Sequence, residues 1–385
     1  TDTFVQASIL DLYDPTRSKR FVQKGKGSTH HEFEKVLGEL RNSILSDNGD
    51  GLAFLVEETN SPTRERLRAE LEKKFTGMRW CIYEPRVAQE ANVAMQSAFG
   101  PNARVLPKLD RADVILALDS DFLDCGQGDL ETIRAFTSRR RVSAPKDSMN
   151  RLYVVEQRFT LTGAMADHRL RCPASQIPAF AQALASKILA GTNDSALSSL
   201  LGSAKDASNT FDQQWIDGVA SDLMAKPGAS LVLAGPMQPV AVQMLVYAIN
   251  AALKNLGQTL IVRQVPRNPK TIDIAQLATD INEGRVKRLF IFGGDPVYNA
   301  PRGLVEDRQT KTPLDWADLQ KKVPNVVRLG YHEDATSAMS QWHVPLAHYL
   351  EAWGDALTSG GEYLSIQPII LPLFGGLSEI ELMNM

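Results

Sequence analysis

The sequence predicts an α/β protein made of two similar Rossmann-like domains with mainly parallel sheets, related by internal duplication. Three observations carry this reading. Apolar runs of strand length alternate with segments of helical period, the alternation occurs twice, and several apolar runs end in glycine-rich or acidic turns. A chain of 385 residues is long for a single core. Its 43% hydrophobic and 23% charged content is that of an ordinary globular protein.

In chain order, His30-His31 stands near the start of a helix over 32–45. Leu52–Val56 reads as a strand, Ser61-Pro62 opens a helix running to about Phe75, Arg79–Tyr83 is a second strand and Val87–Phe99 a second helix. Strands over Asp113–Leu118 and Leu152–Glu156 follow. The second half repeats the order: strand Leu231–Ala234, helix Pro239–Leu256 closed by Gly257, strand Thr259–Arg263, helix Ile272–Glu283, and strands Arg288–Phe292 and Val326–Leu329.

Strand centres pair as 54 with 233, 115 with 291 and 154 with 327. Thr162-Gly-Ala-Met-Ala166 matches Thr336-Ser-Ala-Met-Ser340 at an offset of 174, each followed by a short apolar segment reaching a proline. The expected division is a lead-in over 1–27, a first domain over 28–200, a second over 201–352 and a tail over 353–385. In open parallel sheets, ligands sit beyond the carboxyl ends of the strands. The loops leaving those ends are Glu57–Ser61, Asp119–Asp124, Gly235–Gln238 and Gly293–Asn299. They are expected to line one cleft.

The strongest ligand signal is Gly293-Gly-Asp-Pro296, reached by the apolar run that ends at Phe292. Glycines allow a ligand close to the main chain, and Pro296 and Pro301 stiffen the segment beyond the turn; a tight turn without a ligand is the alternative. Asp119-Ser-Asp121 takes the same place in the first half, as turn formers or as a carboxylate pair. Gly235 and Asn299 complete the candidate set of Asp119, Asp121, Gly235, Gly293, Gly294, Asp295, Pro296 and Asn299.

Other chemistry reads negatively. His343, His348, Glu351 and Asp355 cluster, but the histidines are five apart and Pro345 interrupts the first turn, so no metal is assigned. Gly126-Gln-Gly128 lacks the third glycine of a dinucleotide fingerprint. Asp167-His168-Arg169 reads as a structural hydrogen-bonding group, and no residue receives a catalytic assignment. Cys81, Cys125 and Cys172 contain no C-x-x-C spacing, which excludes a cluster motif of close cysteines and leaves one disulfide open.

A net charge of -3 argues against nucleic acid, and Arg139-Arg-Arg141 reads as a solvated loop or helix end. No apolar run approaches the roughly 18 residues of a membrane helix. The chain opens on Thr1 and closes on Ile380-Glu-Leu-Met-Asn-Met385, which reads as an interrupted helix, so a fragment is expected.

The runs Ile281-Asn-Glu-Gly-Arg-Val-Lys-Arg-Leu-Phe-Ile-Phe-Gly-Gly-Asp-Pro296, Thr336-Ser-Ala-Met339 and His343-Val-Pro-Leu-Ala-His-Tyr-Leu-Glu-Ala-Trp-Gly354 together resemble the molybdopterin oxidoreductase superfamily. Closer still, Ala112–Leu123, Met149–Glu156, Leu161–Arg169 and Gly293–Pro301 are similar to the molybdopterin-like iron–sulfur subunit of bacterial alternative complex III, a quinol:acceptor oxidoreductase. The resemblance implies the middle α/β domains only, on the periplasmic side of the inner membrane. It further implies cytochrome and integral membrane subunits as partners, and iron–sulfur clusters elsewhere in the full subunit.

The departures from the superfamily pattern bear on cofactors. Leu118-Asp-Ser-Asp121 stands where metal-bearing members carry Gly-x-Asn-Pro, Asp295-Pro296 where they carry Asn-Pro, and Pro173-Ala-Ser-Gln176 where they carry Pro-Gly-Thr-Asp. An aspartate accepts but cannot donate, and beside a phosphate it repels. The expectation is a vestigial pterin-nucleotide cleft, no cofactor in this chain, and an electron-transfer scaffold. The alternatives are a catalytic molybdenum or tungsten enzyme holding molybdopterin guanine dinucleotide, and a small-molecule binding module.

Overall fold

The computed structural model describes residues 3–86, 89–124, 128–190, 211–265, 268, 270–306, 311–358 and 360–385. Its strands are β1 (Phe21–Gln23), β2 (Lys26–Ser28), β3 (Leu52–Val56), β4 (Arg79–Ile82), β5 (Ala103–Pro107), β6 (Val114–Leu118), β7 (Arg151–Glu156), β8 (His168–Arg171) and β9 (Ser230–Ala234). They continue with β10 (Leu260–Gln264), β11 (Thr271–Ile272), β12 (Arg288–Phe292), β13 (Gly303–Glu306), β14 (Lys311–Leu314), β15 (Asn325–Gly330), β16 (Trp342–Pro345), β17 (Gly354–Leu357) and β18 (Tyr363–Ile366).

Two compact units result, the first of residues 1–7 and 88–267, the second of residues 8–87 and 268–385. The first holds a four-stranded parallel sheet in the order β8-β7-β6-β9. Every residue of β6 is buried. Val114, Leu116 and Leu118 face Phe180, Leu184, Ile216 and Leu245 on one side, and Ile115 and Ala117 face Phe122 and Phe136 on the other. Burial on both faces makes β6 a continuous apolar run without alternation.

The second unit holds an eight-stranded sheet in the order β11-β4-β3-β12-β15-β16-β1-β2, parallel from β11 to β16 and antiparallel from there on. β12 is again buried throughout. Its helix Pro62–Lys74 is capped by the Ser61 side chain with Pro62 in the first turn, and His30–Ser46 opens with a capping box of Thr29 and Glu32.

The duplication is present in the pairing itself. Leu118 lies opposite Val155 in the first sheet and Phe292 opposite Leu329 in the second, both 174 residues on (292 − 118 and 329 − 155). Tyr153 opposite His168 and Val327 opposite Trp342 repeat at the same spacing.

The consecutive division at 200 and 352 is corrected. β3 pairs with β12, and β9 pairs with β6, so the second sheet takes β1, β2, β3 and β4 from the first half of the sequence and the first sheet takes β9 from the second. A strand's apolar run shows that it is buried; it does not say which neighbour buries it. The lead-in over 1–27 and the tail over 353–385 are corrected too. β1 extends the second sheet with Val22 opposite His343, and Leu382 and Met383 of the helix Glu379–Asn384 join its core.

β10 departs from the repeat as well: it pairs antiparallel with β5, a strand that the apolar pattern does not predict, while β4 lies parallel to β3.

Phe54 marks the centre of the second unit's core, stacked on Phe290 at 5.2 Å and 20°, edge-on to Phe292 at 5.7 Å and 5.0 Å from Trp80. Phe54→Ala is expected to lower unfolding free energy by about 3–5 kcal/mol and Phe54→Leu by less than half of that, measured by urea denaturation. Equal losses for both would place the stability outside this cluster.

Candidate functional site

The turn after β12 is built by two consecutive left-handed glycines, Gly293 (φ 66°) and Gly294 (φ 58°). A Cβ on Gly293 would stand 2.1 Å from Oε2 of Glu57, the first residue beyond the neighbouring strand β3. The Gly294 amide hydrogen-bonds to the same carboxylate. Burial raises the Glu57 pKa, with Glu84 and Glu379 adding to the effect, while Arg328 and the Gly294 amide oppose it.

The carbonyl side of the turn faces a cation. Arg328, 3% exposed in the middle of β15, donates from Nη1 to the Gly293 carbonyl at 2.5 Å and from Nη2 to the Gly294 carbonyl and to Asp334 Oδ2 at 2.8 Å. Burial works against the Asp334 charge, but Arg328 and the Ser337 hydrogen bonds outweigh it and hold the carboxyl below its ordinary value. Arg328 Nε is buried without a partner. The guanidinium would lie 2.9 Å from a Cβ at residue 330, a position that glycine leaves open.

Asp295 is committed locally: its Oδ1 accepts from the Thr336 amide at 3.1 Å and hydroxyl at 2.5 Å, and Thr336 Oγ1 accepts from Val297 N at 3.1 Å. Pro296 begins the short helix Pro296–Asn299. Asn299 accepts from the Tyr83 hydroxyl through its carbonyl at 2.8 Å, and its side-chain Oδ1 is buried without a partner.

The first unit repeats this bracket 174 residues earlier. Asp121 Oδ1 accepts from Thr162 N at 3.0 Å and Oγ1 at 2.7 Å, and Thr162 Oγ1 accepts from Leu123 N at 3.1 Å. Asp119 takes the left-handed conformation of Gly293, with φ 51°. A Cβ on Gly235 would lie 1.9 Å from the Asp119 carbonyl, which explains the glycine after β9. Asp119 Oδ2 accepts from Gln238 Nε2 at 3.0 Å.

Thus Glu57, Gly293, Gly294, Asp295, Pro296 and Asn299 lie at the carboxyl ends of strands in the second unit, and Asp119, Asp121 and Gly235 at those of the first. Sequence reasoning missed Arg328 and passed over Glu57 as a loop boundary. The available signal was the charge inside Val326-Val-Arg-Leu329, a run otherwise apolar.

The residues of 343–355 separate. Glu351 pairs with Arg17, both sides buried, and accepts from the His348 and Leu373 amides. Asp355 accepts from Thr63 N and Oγ1 and from Tyr363. His343 lies between Ser18 Oγ at 2.6 Å and Ser337 Oγ at 2.8 Å, where burial, then Arg328, lowers its pKa to about 4.

His168 stacks on Tyr153 at 4.5 Å. The arginine run stands at a helix end, as expected: Arg139 is the C-cap of the helix Leu130–Ser138 and pairs with Asp113, and Arg140 pairs with Asp167 and Asn150, so both also brace the fold. Cys81 and Cys172 are free and buried. Cys125, Gly126 and Gln127 lie outside the described residues.

No family model matches the sequence, and no curated protein matches it either. Solved structures do. Acetylene hydratase from Pelobacter acetylenicus superposes with a TM-score of 0.69 at 10% identity, covering 100% of this chain. The chain shares its fold with the matching part of acetylene hydratase. The chain spans 62% of acetylene hydratase. The formyltransferase/hydrolase complex FhcABCD from Methylorubrum extorquens, solved with methylofuran, superposes with a TM-score of 0.55 at 12% identity, covering 94% of this chain and 96% of its own. Proteins as different as a hydratase and a formyltransferase/hydrolase share this architecture, so chemistry has to be argued from side chains.

This geometry makes two outcomes measurable. Gly293→Ala is expected to cost roughly 2–4 kcal/mol by clash and by its positive φ. In a Glu57→Ala background the clash part disappears and roughly 1 kcal/mol remains; an unchanged cost would separate the two residues energetically. His343 binds its proton less readily folded than unfolded, so its contribution is full above pH 6.5 and is lost as pH falls towards 4. Wild-type stability is expected to drop across that window by about 2–3 kcal/mol more than that of His343→Gln, measured by denaturation at successive pH values.

Proposed function

We propose that this chain is the central α/β part of a molybdopterin-oxidoreductase-like subunit in a membrane-associated, quinol-oxidising electron-transfer complex, and that it acts as a scaffold holding neither pterin nor metal. The fold supports the coarse reading, and the motifs similar to alternative complex III support the finer one. In this reading the subunit lies on the periplasmic side of the inner membrane. Its partners are cytochrome and integral membrane subunits, and electrons pass through clusters carried elsewhere in the subunit.

One observation carries the cofactor-free part: the acidic side chains at both turns already accept from the chain's own donors. Asp121 is satisfied by Thr162, Asp295 by Thr336 and Asp119 by Gln238. A pterin dinucleotide brings phosphates, and these turns meet it with carboxylates where donors are required. The residues present do not fit that group.

Elemental and pterin analysis of the full-length protein, purified in its complex, tests this. The expected outcome is molybdenum and tungsten far below stoichiometric and no extractable pterin. Stoichiometric metal with pterin would establish the catalytic alternative. Stabilisation by a soluble metabolite without either would favour a binding module.

A further inference from the structure

We propose that the outer edge of β18 is a docking edge for a neighbouring subunit, which adds one extended, uncharged strand of its own to the β17–β18 pair. The proposal deepens the reading of this chain as part of a multisubunit complex and rests on it.

β17 and β18 pair antiparallel, with Gly354 opposite Ile366 and Leu357 opposite Tyr363. The far side of β17 is covered within the same unit: the Leu357 amide donates to the Asn60 carbonyl at 2.8 Å, and Asp355 accepts from the Thr63 amide at 3.1 Å. Among the described residues no strand lies against the far side of β18, and Tyr363, Leu364 and Ser365 are exposed. An edge of this kind presents a row of unpaired amides and carbonyls.

The usual protection of such an edge is missing. Edge strands elsewhere carry cations, Lys26 on β2 and Arg169 and Arg171 on β8, and charge at an edge discourages a foreign strand. No charged residue occurs over 363–378.

The segment after β18 supplies the independent observation. Exposure alternates residue by residue from 366 to 375, and the outward positions include Ile369, Leu371 and Leu373, with Leu371 85% exposed. A half-buried extended chain ordinarily turns its apolar side inward. Here the other side is tied down by polar contacts: the Ile369 and Ile370 amides donate to the Leu350 carbonyl at 2.9 and 3.3 Å, and the Leu373 amide to Glu351 Oε1 at 2.9 Å. The apolar row is therefore held outward, in place for a partner. With Trp353, Tyr363 and Leu364 it exposes on the order of 700 Å², close to the roughly 800 Å² that one partner contributes to a stable protein interface.

These features select the occupant. The main chain of an added strand satisfies the amides and carbonyls of an edge, and lipid tails do not. A row without charge fits apolar side chains and penalises a partner that would bury a charge against it. Trp353, 63% exposed, and Tyr363, 62% exposed, are large rigid anchors of the kind enriched at subunit interfaces.

Hydrogen exchange of the full-length subunit, alone and in its purified complex, tests this. The amides of Tyr363–Ile366 are expected to exchange about 100-fold more slowly in the complex than in the subunit alone. Leu371→Glu is expected to weaken binding of the subunit to the remaining subunits by about tenfold or more, while Leu371→Met and a distant control, Leu45→Glu, bind as wild type does. Leu371 is exposed enough for the variant to fold, which a Tm within about 2 °C of wild type verifies.

Protection already present in the isolated subunit at low concentration overturns the proposal, because the subunit's own chain then covers the edge. Protection that rises with the concentration of the isolated subunit overturns it in favour of a second copy. Protection produced by phosphatidylcholine vesicles alone overturns it in favour of a lipid surface. A complex in which Leu371→Glu binds as wild type does removes this proposal only; a full-length subunit that purifies without partners removes it together with the reading on which it rests.

Discussion

β6 and β12 are each hydrogen-bonded to parallel neighbours on both edges and covered by side chains on both faces, and the rest of the fold is arranged around that double burial. A parallel neighbour cannot be reached by a tight hairpin; it needs a crossover of a dozen or more residues. The chain therefore leaves β3 and passes through the whole first unit before β12 closes on it. Interleaving of the two halves is a consequence of how the central strands are paired.

That constraint also fixes what lies at the strand ends. Since β3, β12 and β15 run parallel in register, Glu57, Gly293 and Gly330 emerge together at one edge of the sheet. Charges at such an edge are close and partly desolvated, so they must satisfy one another. Glu57, the Gly294 amide, Arg328 and Asp334 do so in sequence across three strands. In the first unit Val154 stands at the position equivalent to Arg328, and the turn is filled by Asp119 and Gln238 instead.

Much of the fold was legible in local patterns. Leu52–Val56 and Arg288–Phe292 were readable to the residue, because strands buried on both faces are uninterrupted apolar runs. The repeat was legible too, since Thr162 and Thr336 perform the same bracketing task and so occur in similar surroundings. Short elements such as β1, β5 and β8 were poorly visible: three to five residues with mixed exposure carry no clear period.

By itself the sequence determined which segments are the central strands, that the Thr162 and Thr336 turns recur at a spacing of 174 residues, and that glycine and aspartate occupy the turns beyond the strands. Those properties follow from local burial and backbone conformation. Tertiary structure alone decided that β3 belongs with β12, that β1 and the helix Glu379–Asn384 join the second core, and that Glu57 and Arg328 meet at the glycine turn. Those depend on which strands become neighbours, a matter of long-range pairing that periodicity does not encode.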